Sequence, residues 1–169
     1  MILSLLDRLP ARRWCYLAAF AVCTALMAYA LYLQYVKYLE PCPLCMVQRV
    51  FIIAMGVVFL IAGLHGPGPR GARWYAGIQA LLGLSGAAIA ARHVWIQYLP
   101  ERDVPQCGPG LSYMLDTLPF SQVLTQLLHG SGECHDKSWM FLGLTIPGWT
   151  FLFFLSLVLW SLLMTRKAA

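Results

Sequence analysis

Charge is what this chain has least of. Only 11% of its 169 residues are Asp, Glu, Lys or Arg, whereas 60% are apolar. A water-soluble domain carries about a quarter charged residues, so an ordinary soluble enzyme is excluded at the outset. Acids are scarcest, seven against twelve basic residues. The sequence holds no glycine-rich phosphate loop, no Ser/His/Asp arrangement and no flavin motif. A c-type haem site is excluded too: it needs a histidine directly after the second cysteine of a CxxC pair, and here Met46 follows Cys45.

Charge is missing altogether from 14–36, 50–69, 74–91 and 138–165, runs of 18 to 28 residues. A bilayer core of about 30 Å needs about 20 helical residues. Four buried helices of a soluble bundle would need polar faces, and there is too little polar sequence to supply them. The reading is an all-α integral membrane four-helix bundle, one domain over 1–169 embedded in a lipid bilayer. Its spans fall near 14–36, 46–64, 73–91 and 145–164, with loops at 37–45 and 92–144.

Orientation follows from Lys and Arg in the short flanking segments. Arg8, Arg12, Arg13, Arg70, Arg73, Arg166 and Lys167 lie on one side with a single acid, Asp7. The other side has five basic residues (Lys37, Arg49, Arg92, Arg102, Lys137) and six acids (Glu40, Glu101, Asp103, Asp116, Glu133, Asp136). Both termini are expected in the cytoplasm and both loops outside. The net charge of +5 reflects this asymmetry, and no nucleic-acid partner is implied. The first span resembles a cleaved signal peptide at Ala28-Tyr29-Ala30, but its apolar run continues through Leu33, so it is read as a retained anchor.

Gly66-Pro67-Gly68-Pro69 predicts a tight turn between spans two and three. Gly77, Gly83, Gly86, Ala87 and Ala90 give span three the small residues that let helices approach closely in lipid. In the second loop Phe120, Val123, Leu124, Leu127 and Leu128 repeat at helical spacing. That helix is too short to span. It either lies on the membrane surface or packs on the bundle.

Cysteines sort by location. Cys15 and Cys23 fall inside span one, where a thiol is a small apolar filler. Cys42, Cys45, Cys107 and Cys134 all fall outside, where disulfides persist. Four cysteines allow three connectivities, and Cys42–Cys45 with Cys107–Cys134 is the local choice. Joining Cys107 to Cys134 closes a long loop, worth roughly 3.5 kcal/mol by chain entropy, so that pair alone could be a staple. Cys42-Pro43-Leu44-Cys45 closes almost nothing. Its two-residue spacing is instead a redox arrangement.

Span two starts just after Cys45, so the pair sits at a helix N-terminus, whose free N–H groups favour a thiolate. Arg49 is one turn deeper on the same face. It either snorkels to headgroups or stabilises a thiolate or an anionic acceptor beside Cys45. His93 lies at matching depth on span three. A zinc site built from Cys42, Cys45, Cys107 and Cys134, or His135, would need reduced thiols in an oxidising space, so no resident metal is expected. With no haem or flavin motif, the lipid-soluble oxidant that matches one dithiol is a quinone. Arg49 would stabilise charge on its oxygen and His93 would serve as proton partner.

Three stretches carry a family resemblance: Pro41 to Cys45 with Arg49; Arg92-His93-Val94-Trp95-Ile96-Gln97; and Gly132-Glu133-Cys134 through Trp139, Phe141-Leu142-Gly143-Leu144 and Pro147. In order and over nearly the whole chain they resemble the DsbB family of bacterial inner-membrane disulfide bond formation proteins. The resemblance implies an enzyme that reoxidises the periplasmic thioredoxin-fold oxidase DsbA and reduces ubiquinone or menaquinone. It implies that Cys107 receives the partner's thiolate from a segment, Val104 to Gly108, lying in the partner's groove. Cys134 would be the disulfide mate of Cys107. Cys42 would exchange with that pair, Cys45 would face the quinone, and Arg49 and His93 would be quinone-site residues. Gln48 departs from the pattern, since some members carry an acid before the arginine. Two rivals differ in kind. A non-catalytic membrane protein stapled by two disulfides would resist mild reductants, and a quinone-linked reductase of the vitamin K epoxide type would share the CxxC and the bundle but not the ordered match.

Overall fold

The computed structural model describes residues 11–39, 41–100, 113, 116–119, 121–123, 125, 132–135 and 139–166. Four long helices dominate: α1 (Arg12–Tyr35), α2 (Pro43–His65), α3 (Pro69–Gln97) and α4 (Ile146–Arg166). Each is long and apolar enough to cross a membrane. Large side chains such as Trp74, Leu81, Leu64 and Val50 point outward. An apolar surface of that extent suits lipid rather than water, so the protein is a multi-pass membrane bundle.

The helix ends follow from local chemistry. Pro43 and Pro69 each open a helix, where a missing N–H costs nothing. Gly66 ends α2 in the left-handed conformation (φ 59°), its N–H bonded to the Ala62 carbonyl, as a glycine cap does. Arg12 donates from Nη1 to the Pro67 carbonyl at 3.0 Å, fastening the α2–α3 turn to the start of α1.

Packing runs in chain order, α1 on α2, α2 on α3 and α3 on α4, with little contact between α1 and α4. The core holds Tyr16, Met55, Phe59, Ala87, Ala90, Phe154 and Met164. Cys15 and Cys23 are buried in it. Helices α3 and α4 approach each other closely. A Cβ placed on Gly83 would stand 2.3 Å from Val158 Cγ2, and one on Gly86 2.6 Å from the Phe154 ring. Gly77 does not share this role, since it is exposed with open space around it.

Between α3 and α4 lie a 3₁₀ turn, Gly132–His135, and a hairpin of β1 (Met140–Phe141) and β2 (Leu144–Thr145). The antiparallel register pairs Met140 with Thr145 and Phe141 with Leu144. Leu142 and Gly143 turn between them at φ 50° and 78°, the signature of a two-residue hairpin loop. The charge-free run thus holds a hairpin over Met140–Thr145 and becomes helix only at Ile146. Trp149 Nε1 donates to the Phe141 carbonyl at 3.0 Å, and Thr145 Oγ1 donates to Gln97 Oε1 at 2.6 Å. These bonds pin the hairpin to α4 and α3. Of the apolar stripe in the second loop, Val123 sits in a helical stretch and is buried. Phe120, Leu124, Leu127 and Leu128 lie outside the described residues.

Candidate functional site

Cys42 is the N-cap of α2. Its backbone is extended (φ −64°, ψ 163°) and its Sγ accepts the Cys45 N–H at 3.4 Å. A sulfur in this position offsets one unpaired N–H of the first turn. The same geometry bathes both cysteines in the positive end of the helix dipole. Cys42 and Cys45 are not joined to each other in this structure.

Two adjacent faces of α2 divide the labour. Leu44, Gln48, Met55, Phe59 and Ala62 are buried in the bundle. Cys45, Arg49 and Ile52, one step around the helix, line a cavity. On α3 the inward stripe runs Gln79, Gly83, Gly86, Ala90, His93 and Gln97. His93 therefore points at the start of α2 because it continues the stripe set by the small residues.

The His93 ring is held on both nitrogens. Nε2 lies 3.2 Å from the Cys134 carbonyl, which only accepts, so that nitrogen carries the proton. Nδ1 is left with its lone pair and receives Gln48 Nε2 at 3.2 Å. Cys42 Sγ stands 3.6 Å from Nε2, and Cys45 Sγ 3.9 Å from Nδ1. Arg49 is held against α1. Its Nη1 donates to Gln34 Oε1 at 2.5 Å and its Nη2 to the Ala30 carbonyl at 3.2 Å, both on α1.

The cavity between these groups is about 400 Å³. Cys42, Cys45, Gln48, Arg49 and His93 contribute its polar and reactive lining, and Leu26, Leu33, Trp139, Trp149 and Phe153 are among its apolar walls. A pocket of mostly apolar lining with a few convergent polar groups is the form a small-molecule site takes. The arrangement can hold a sulfur anion, offer it a proton acceptor, and place a fixed cation beside it.

Of the residues singled out from sequence, Cys42, Cys45, Arg49 and His93 are brought together here. Cys134 joins them, fully buried in a cluster with Cys42, Leu44 and Ile96. Cys107 and the segment around it lie outside the described residues. His135 is turned away from the thiols, with Nε2 on the Leu99 carbonyl at 3.2 Å. Sequence reasoning missed Gln34, the bond from Gln48 to His93 and the aromatic walls from the hairpin and α4. The signal for the glutamines was available: a polar side chain within an apolar span marks a functional position by default.

Comparison with known proteins identifies the family. The family model described as "Disulfide bond formation protein DsbB" matches residues 12–164. A disulfide bond formation protein B of Hahella chejuensis is 49% identical over 156 residues, covering 92% of this chain and 94% of the relative. Its counterpart in Methylococcus capsulatus is 47% identical over 155 residues, with 92% and 94% covered. That of Nitrosococcus oceani is 49% identical over 150 residues, with 89% of each covered. With four apolar helices, a cysteine pair at the head of one of them and a family match spanning the bundle, the chain belongs to the DsbB family of disulfide bond formation proteins, and its activity is that of a disulfide oxidoreductase.

Proposed function

We propose that this chain is a quinone-dependent thiol oxidoreductase of the bacterial inner membrane, with both termini cytoplasmic and its cysteine loops in the periplasm. It reoxidises a DsbA-like thioredoxin-fold oxidase and passes the electrons to ubiquinone or menaquinone. One observation carries the reading: Cys45, Arg49 and His93 line a single cavity whose remaining walls are largely apolar. That lining fits a greasy ring with polar oxygens, and a quinone, when bound, supplies an acceptor for two electrons and two protons.

The chain's own residues divide the work. A partner thiolate attacks Cys107 and releases Cys134; the partner's second thiol then displaces Cys107. The partner leaves as a disulfide and the loop pair is left as a dithiol. Exchange with a Cys42–Cys45 disulfide moves the two electrons on and leaves those two as thiols. The burial of Cys134 beside Cys42 supports this hand-over. Closing the Cys42–Cys45 bond again delivers two electrons into the cavity from Cys45, and two thiol protons accompany them. His93 Nδ1 receives the Cys45 proton once the Gln48 amide turns aside. Arg49, fixed by Gln34 and Ala30, balances negative charge in the cavity without reorganising.

The test mixes purified protein with a reduced thioredoxin-fold oxidase and quinone and follows quinone absorbance. Wild type reduces quinone in multiple turnovers. Cys45→Ser folds but passes no electrons to quinone, and Cys107→Ser fails to oxidise the partner. Full-speed partner oxidation by Cys107→Ser, or unchanged quinone reduction in both Arg49→Ala and His93→Ala, overturns the assignment.

A further inference from the structure

The redox exchange leaves a ligand set unexplained. Cys42, Cys45 and His93 each offer one ligand atom, and these atoms lie within 4.8 Å of one another. Among the described residues this is the group of His, Cys, Asp and Glu placed to hold a metal ion. It is not the set the sequence suggested, which drew on the loop cysteines or His135.

Three observations bear on what it would bind. Reduced, Cys42 and Cys45 offer two thiolates, soft donors that select zinc-like cations over magnesium or calcium. The His93 Nε2–H is already committed to the Cys134 carbonyl, which leaves Nδ1, 3.9 Å from Cys45 Sγ, as the nitrogen with a lone pair, held for now by the Gln48 amide. A ligating histidine whose second nitrogen donates to a backbone carbonyl is the usual outer-shell arrangement of a zinc site. Finally, all three residues line the cavity, so a fourth coordination position opens onto it.

We infer that the dithiol form of this site binds one thiophilic divalent cation, zinc or cadmium, through Cys42 Sγ, Cys45 Sγ and His93 Nδ1, and that the disulfide form does not. The inference rests on the reading of Cys42 and Cys45 as an exchanging pair. Binding moves no electrons. Two thiol protons are released to solvent, two metal–sulfur bonds and one metal–nitrogen bond form, and the Gln48 amide gives up its bond to Nδ1. A disulfide lacks the two anionic donors, so affinity is gated by redox state. The bound cation occupies both electron-donating sulfurs, which makes it an inhibitor that acts when the acceptor pool is reduced and the dithiol accumulates.

The experiment titrates cadmium into detergent-purified full-length protein, once reduced and once oxidised, and follows the ultraviolet thiolate-to-cadmium band. The reduced protein is expected to saturate at one equivalent and the oxidised protein to show no band. Cys45→Ser and His93→Ala, checked for native helix content, lose stoichiometric binding. A variant carrying both Cys107→Ser and Cys134→Ser keeps it. Zinc slows reoxidation of the reduced protein by quinone at least tenfold, and a chelator restores the rate. An equal band in oxidised protein, or a band lost in the loop-cysteine variant, overturns the inference. Metal-free quinone reduction is measured in parallel. Its presence without a cadmium band sinks the metal site alone, while a band without quinone reduction sinks the proposed function and leaves the metal site standing.

Discussion

Two contacts decide which nitrogen of His93 is available. The Cys134 carbonyl fixes the proton on Nε2, and the Gln48 amide holds the opposite lone pair in place. Gln48→Leu removes the second restraint at similar bulk. That bond, worth about 1–2 kcal/mol, has to open before Nδ1 takes the Cys45 proton, so its loss is expected to speed quinone reduction by up to about tenfold, with the partner-oxidising half-reaction unchanged in single-turnover measurements. Gln34→Ala acts on the other arm: Arg49 keeps the Ala30 carbonyl but loses its shorter bond. The apparent KM for quinone should rise several-fold while kcat with excess quinone changes less; equal loss in both would mean that Gln34 does more than position the cation. The two cysteines, Arg49 and His93 were legible because spacing alone places them at one depth. The carbonyl of Cys134 and the amide of Gln48 were not, since they meet His93 across 41 and 45 residues of chain and no local pattern encodes a contact of that range.

Helix α3 does two jobs with one stripe. Its glycines admit Val158 and Phe154 of α4, and the same line of positions delivers His93 and Gln97 to the site. Gly86→Val drives a branched side chain into the Phe154 ring and should destabilise the bundle by about 1–3 kcal/mol, read as a lower unfolding midpoint in detergent. Adding Phe154→Ala returns the space, so the double variant should lose less than the sum of the single changes. Gly77→Ala, with open space around it, serves as the control and should leave the midpoint unchanged or slightly raised. The small-residue stripe was readable as a helix contact, though not which glycine faces outward, because a helix that is apolar all round carries little rotational signal. The hairpin was hidden for a related reason. Residues 138–145 are as charge-free as the span they precede, and of the two left-handed turn positions only Gly143 advertises itself; Leu142 does not.

For the molecule as a whole, the proposed orientation makes a direct labelling prediction. Leu142 at the hairpin tip is 79% exposed, and Gly68 is exposed in the α2–α3 turn at the other end of the bundle. In intact spheroplasts a membrane-impermeant maleimide should react with Leu142→Cys, while Gly68→Cys reacts only after permeabilisation; the reverse pattern would invert the topology. Packing in chain order has a further consequence. It makes the bundle a ring with one thin joint, where α1 meets α4. Toward the α2–α3 turn that joint is stitched by Trp160 Nε1 on the Cys15 carbonyl at 3.3 Å. Toward the cysteines it parts, and there the cavity takes its walls from Leu26 and Leu33 on one side and Trp149 and Phe153 on the other. Under the proposed function, an acceptor entering between those walls travels sideways within the bilayer and never crosses water. Turnover in reconstituted vesicles should therefore track the acceptor's mole fraction in lipid, and diluting the bilayer with inert lipid should slow it even when the amount per millilitre stays the same.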